Sequence, residues 1–180
     1  MKHVILTIVL LLASGLVIAQ TKMSDQLSKT TKMNAQSKIF FAGGCFWGTE
    51  HFMKQINGVT STQVGYANGK TSIKNPTYEQ VCNDNTGFAE TVEVSYDPQQ
   101  ADLKLLLELY FKTIDPTSLN RQGNDRGSQY RTGIYYTNAA DLPIIKEAIE
   151  TLAKKYSKPI VVEVEPLVNF YPAEEYHQDT

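Results

Sequence analysis

The chain has 180 residues, 42% hydrophobic and 20% charged, enough for one domain with its own core and the balance of an ordinary globular protein. A formal net charge of −2 argues against a nucleic-acid partner and gives no attraction to an anionic membrane surface. With two cysteines, three histidines and no C-x-x-C pair, the chain lacks a thioredoxin-type dithiol and the close ligand spacing of a metal site.

The first stretch, MKHVILTIVLLLASGLVIAQ, reads as an export signal over residues 1–19. Lys2 supplies the positive start, Val4 to Val17 the apolar run, and Ala19 a small residue for cleavage. That run is short against the roughly 20 residues needed to cross a bilayer, so no stable membrane anchor is expected after cleavage. Periplasmic or secreted localisation follows as the expectation. Residues 20–37 are polar and without periodicity, as in a flexible linker, which leaves 38–180 as the folded domain.

KIFFA (38–42) is a short apolar strand broken by Gly43 and Gly44. A helix follows from Phe46 to about Gln55, stopped by Asn57-Gly58. VTSTQVGYA (59–67) reads as a strand and 68–89 as a long loop; TVEVSY (91–96) alternates and ends at Asp97-Pro98. Leu103, Leu106, Leu107 and Tyr110 recur at helical spacing, predicting a helix over 101–113. A second long loop (114–129), a strand (130–137), a helix (139–156) and a strand (160–166) complete the chain. This β-α-β-β-α-β-α-β order predicts an α+β fold, a two-layer sandwich of helices on a mostly antiparallel sheet with a ferredoxin-like core. Loops beyond about 12 to 15 residues are usually functional, so both long loops are expected to meet the Cys45 turn.

Cys45 follows a Gly-Gly turn and opens a helix. The unpaired N–H groups there favour a thiolate and are expected to lower the pKa from its free value of ~8.5. Phe46 and Trp47 could form a cage for a small apolar group such as a methyl, or could simply be core. On physics alone two readings of Cys45 stay open: a nucleophile, or half of a structural Cys45–Cys82 disulfide in an exported protein.

GCFWG (44–48) resembles the signature of the peptide methionine sulfoxide reductase A family, which acts on the S epimer of methionine sulfoxide. GYANG (65–69), NPTYEQVC (75–82), TGFAETVEVSYDP (86–98), NDRGSQYRTGIYY (124–136) and FYPAEEYHQ (170–178) resemble its further blocks, in the family's order. The resemblance spans nearly all of residues 38–178. It implies Cys45 as nucleophile and Glu90 as the acid that protonates the departing oxygen, with a raised pKa favoured by burial among Phe88 and Trp47. It implies Tyr78 and Tyr130 as donors to the sulfoxide oxygen, Phe46 and Trp47 as the methyl pocket, and Asp125 as a residue ordering that pocket. His177 falls in the matching YHQ without an assigned role.

Attack is expected to leave Cys45 as a sulfenic acid, with repair of oxidative damage as the role. No cysteine follows Cys82, whereas many relatives carry resolving cysteines in a C-terminal tail, and Asp179-Thr180 stand where relatives commonly have Tyr. An external thioredoxin-like thiol is therefore favoured over Cys82 as resolver. The expected partners are oxidised proteins or free methionine sulfoxide and that reductant; no bound cofactor, no metal and a monomer are expected. The alternatives are a thiol peroxidase, which would also form a Cys45 sulfenic acid, and a secreted, disulfide-stapled binding module.

Overall fold

The computed structural model describes residues 36–83 and 85–178. The export signal and almost all of the linker lie outside the described residues.

The strands are β1 (Ser37–Gly43), β2 (Val59–Ala67), β3 (Ala89–Tyr96), β4 (Arg121–Gln122), β5 (Asp125–Arg126), β6 (Thr132–Tyr136), β7 (Glu163–Pro166) and β8 (Phe170–Pro172). The helices are α1 (Phe46–Met53), α2 (Tyr78–Cys82), α3 (Leu103–Tyr110) and α4 (Leu142–Ala153). Six strands form one sheet in the order β7-β6-β1-β3-β2-β8, antiparallel except for the β6–β7 pair. The inner run β6-β1-β3-β2, with α1 and α3 as crossovers, is a split βαβ core, so the α+β fold is as expected. β7 and β8 extend it at both edges, and the ferredoxin-like description covers only these four inner strands.

Why β1 is apolar from Ile39 to Ala42 becomes plain from its two faces. Ile39 and Phe41 point into the main core with Val64, Val92, Val94 and Ile134, under the helices. Phe40 and Ala42 point the other way, where Tyr135, Leu167 and Phe170 cover them. A strand buried on both sides has no polar face to alternate. α1 buries Phe46, Thr49, Glu50 and Met53, one stripe at helical spacing. Fully burying Phe46 and Met53 contributes roughly 2–3 kcal/mol each. α3 likewise buries Leu103, Leu106, Leu107 and Tyr110, and Asp102 caps it by accepting from the Leu105 N–H at 2.8 Å.

Both long loops carry more structure than their composition suggests. The stretch 68–89 contains α2, held by a reciprocal Thr77–Gln80 capping box. The stretch 114–129 contains the β4–β5 hairpin and leads into a 3₁₀ turn at Ser128–Tyr130. β8 was not foreseen: it is three residues long, and pairing with Gly65–Ala67 defines it.

Candidate active site

Cys45 sits at the C-terminal end of β1, as the N-cap of α1 (φ −56°, ψ 122°). Gly44 reaches it through φ +83°, and a Cβ there would stand 2.6 Å from the Gln122 Cβ. The turn that presents the thiol therefore requires glycine on both conformational and steric grounds. The thiol is half-buried, and neither Cys45 nor Cys82 is in a disulfide.

The expected lowering of the thiol pKa is not found. Burial pushes the Cys45 thiol up; the backbone N–H groups of Trp47 and Gly48 pull it down, and the carboxylates of Glu90 and Asp125 push it up again. The helix-terminus effect is present but outweighed by desolvation and two nearby anions.

Glu90 is the second residue of β3, 1% exposed, and faces the helices like Val92 and Val94. Its Oε2 accepts from the Phe46 N–H at 3.0 Å, which fixes the carboxyl against the residue next to Cys45. Burial raises its pKa from 4.5 to about 7, against the pull of the Phe46 N–H and with a smaller push from Asp125. Phe88 is buried beside it in the chain as expected, whereas Trp47 is 41% exposed and rims the site. A carboxyl poised near neutrality is suited to give a proton in one step and take it back in another.

Tyr78 opens α2, and its hydroxyl is hydrogen-bonded to that of Tyr130 at the end of the 3₁₀ turn. The same Tyr78 hydroxyl touches the Cys82 thiol one helical turn on. Burial raises both phenols, and the Glu90 carboxylate raises Tyr130 further. Asp125, on β5, acts electrostatically on Cys45, Glu90 and Tyr130 together. The two long loops thus converge on the Cys45 turn.

Phe46 is buried and Trp47 is not, so the aromatic pair divides into one wall and one rim. The His177 ring lies 5.3 Å from Phe46, 5.4 Å from Trp47 and 4.7 Å from Tyr78, centroid to centroid. Its backbone carbonyl accepts from the Trp47 indole N–H at 3.1 Å. Burial lowers the His177 pKa, so the ring is neutral at neutral pH. Tyr66 and Glu174 join these residues without any role for them marked in the sequence. Tyr66 pairs with Glu90 across β2–β3 and is fully buried; its hydroxyl donates to Glu174 Oε2 at 2.8 Å. Its position on the same strand face as Val64 was a signal that could have found it.

A thiol, a carboxyl held beside it and a pair of hydrogen-bonded hydroxyls nearby suit attack on an atom that gives up an oxygen, the chemistry of a thiol-dependent oxidoreductase. Comparison with known proteins narrows the class. The family profile described as Peptide methionine sulfoxide reductase matches residues 37–180. The MsrA protein of Lachnoclostridium phytofermentans is 62% identical over 140 residues, 78% of this chain and 83% of that one. The reduced form of Mxr1 from Saccharomyces cerevisiae superposes with a TM-score of 0.76 at 40% identity, covering 79% of this chain and 82% of that one. Mxr1 in complex with Trx2 matches with a TM-score of 0.58 at 30% identity, covering 81% and 86%. The chain belongs to the peptide methionine sulfoxide reductase family.

Proposed function

We propose that this protein reduces the S epimer of methionine sulfoxide, in proteins or free, to methionine, with a thioredoxin-like thiol as reductant. The observation that carries the reading is the 3.0 Å bond from the Phe46 N–H to Glu90, which sets a carboxyl whose pKa burial raises to about 7 beside the Cys45 thiol. Family membership and the relative solved with Trx2 support the same reading.

The sulfoxide methyl enters against Phe46, Trp47 and His177, and its oxygen meets the Tyr130 hydroxyl. With Tyr78 donating to it, Tyr130 would keep its own proton for the substrate oxygen, and the chain of hydroxyls would strengthen that bond. Protonating Glu90 removes one of the two anions that hold the thiol pKa up. The reactive form therefore pairs a Cys45 thiolate with a Glu90 acid. The sulfur of the thiolate attacks the sulfoxide sulfur, Glu90 gives its proton to the oxygen, and transfer of that OH to Cys45 releases methionine. Cys45 is then a sulfenic acid: the substrate sulfur has been reduced by two electrons and the cysteine oxidised by two. A thiol of the reductant attacks the sulfenic acid and expels water, and its second thiol breaks the mixed disulfide to return Cys45–SH. With residues 1–19 read as an export signal, the place of action is outside the cytoplasm and the role is repair.

Contact between the Cys82 thiol and the Tyr78 hydroxyl gives a second resolver reading, in which Cys82 attacks the Cys45 sulfenic acid. A single-turnover assay decides between them. Pre-reduced protein is given excess of each sulfoxide epimer without reductant, and methionine formed and thiols lost are counted. The expected result is about one methionine per chain from the S epimer alone, with one thiol lost. Two thiols lost would make Cys82 the resolver, and no methionine from either epimer would overturn the proposal.

A further inference from the structure

We propose that Glu174 is a positioning residue for the reduction: its carboxylate sets the place of Tyr78, and through it the donor that Tyr130 presents to the sulfoxide oxygen. The inference rests on the reading that these tyrosines bind that oxygen.

Glu174 lies at the start of the 3₁₀ turn Glu175–His177, far in sequence from every residue it holds. Its Oε1 accepts from the Tyr78 N–H at 2.9 Å, and its Oε2 accepts from the Tyr66 hydroxyl at 2.8 Å. One carboxylate thus bridges the first residue of α2 to the tyrosine paired with Glu90 across the sheet. α2 is five residues long and cannot hold itself in place, because so short a helix has too few internal bonds to offset its nucleation. Its first-turn N–H groups need outside acceptors. The capping box satisfies those of Thr77 and Gln80, and Glu174 takes that of Tyr78.

The segment around Glu174 is itself clamped. The Gln178 side chain accepts from the Val64 N–H at 3.1 Å and donates to the Val64 and Ala173 carbonyls at 3.0 and 2.9 Å, and the Ala173 N–H donates to the Val64 carbonyl. His177, three residues on, packs its ring on Tyr78 and binds the Trp47 indole through its carbonyl. The carboxylate is therefore a fixed post, anchored to β2. Tyr78 hangs from it by a backbone bond, and a displaced Tyr78 ring would no longer donate to Tyr130.

The test is a double-mutant cycle on steady-state kinetics, combining Glu174→Ala with Tyr78→Phe in the full protein. Misplacing a donor without removing it is expected to lower kcat/KM roughly tenfold in Glu174→Ala. With the Tyr78 hydroxyl already gone, the same substitution should cost no more than about twofold, since both changes act on one group. Glu174→Gln, which keeps an acceptor for the Tyr78 N–H, should recover most of the loss. If the alanine variant does not fold, the glutamine variant carries the cycle, and its smaller loss must likewise vanish in the Tyr78→Phe background. Equal fold losses in both backgrounds, or full activity of Glu174→Ala, would overturn the inference. A Tyr78→Phe variant of normal activity would instead sink the underlying reading of the tyrosines.

Discussion

Replacing Glu90 by glutamine separates what the buried carboxyl costs the fold from what it does in the site. Its pKa stands near 7 in the folded protein against 4.5 for an ordinary glutamate, chiefly because burial penalises the charged form. At ~1.4 kcal/mol per pH unit the full displacement is worth about 3 kcal/mol. The folded chain holds this proton more tightly than the unfolded chain, so this group's contribution falls as pH climbs from about 4.5 to about 7 and is flat above. Glutamine does not ionise, and its amide oxygen can still accept from the Phe46 N–H. Burying its NH₂ group costs about 1–2 kcal/mol at every pH unless a partner is found. That cost is a constant offset, so the pH dependence of the difference is the quantity to test. Between pH 5 and 8.5 the variant should gain about 2.5 kcal/mol on wild type, about 7 °C in melting temperature for a domain of this size. The assay is thermal unfolding of both proteins by circular dichroism at half-unit pH steps. Groups such as Asp97 and Asp115, whose pKa values are lowered by local hydrogen bonds, titrate alike in both and drop out of the difference. In parallel, the single-turnover rate should fall at least about 10²-fold in the variant, the scale of a lost general acid. A melting difference that does not change with pH would show that ionising Glu90 costs nothing, and the argument for a neutral acid at pH 7 would fail with it.

Because the Glu90 carboxylate raises the Cys45 thiol, Glu90→Gln should also move the pH midpoint of Cys45 alkylation downward, though not to that of an exposed cysteine, since burial is the larger cause. Iodoacetamide rates across pH check this, and an unmoved midpoint would mean that the two groups do not feel each other. Gly44→Ala places a Cβ 2.6 Å from Gln122 at a φ of +83°, so a loss of at least about 1–3 kcal/mol in stability is expected in urea unfolding. Cys82→Ala should retain multiple turnover with a thioredoxin-type reductant; loss of turnover beyond the first methionine would assign resolution to Cys82.

Strands and helices that carry a periodic signal were legible in the sequence, and those held by their partners were not. Ile39, Phe41, Val92 and Val94 announce β1 and β3 because burial leaves no alternative to apolar residues there. The Leu103–Tyr110 spacing announces α3 for the same reason. α2 and β8 have no such pattern: α2 rests on Thr77, Gln80 and the distant Glu174, and β8 on the edge of β2. Cys45 and Glu90 come together because GCFWG and FAET lie at the ends of adjacent strands. Glu174 stayed hidden because its partners Tyr78 and Tyr66 lie 96 and 108 residues away in the chain.

The Cys45 thiol shows why motif and environment must be weighed together, and it bears on the peroxidase alternative. A cysteine at a helix N-terminus suggests a standing thiolate, but here burial and two carboxylates hold the proton on. A thiol peroxidase depends on a thiolate that is ready before peroxide arrives, and Cys45 at rest is the opposite. Reduction of a sulfoxide has a different requirement, because the oxygen must be protonated as it leaves the substrate sulfur. As the proposed acid, Glu90 would meet that requirement only when neutral, and a neutral Glu90 also removes its own push on the Cys45 pKa. On the reading proposed above, one proton on Glu90 would supply the acid and ease part of the penalty on the Cys45 thiolate, whose larger part is burial.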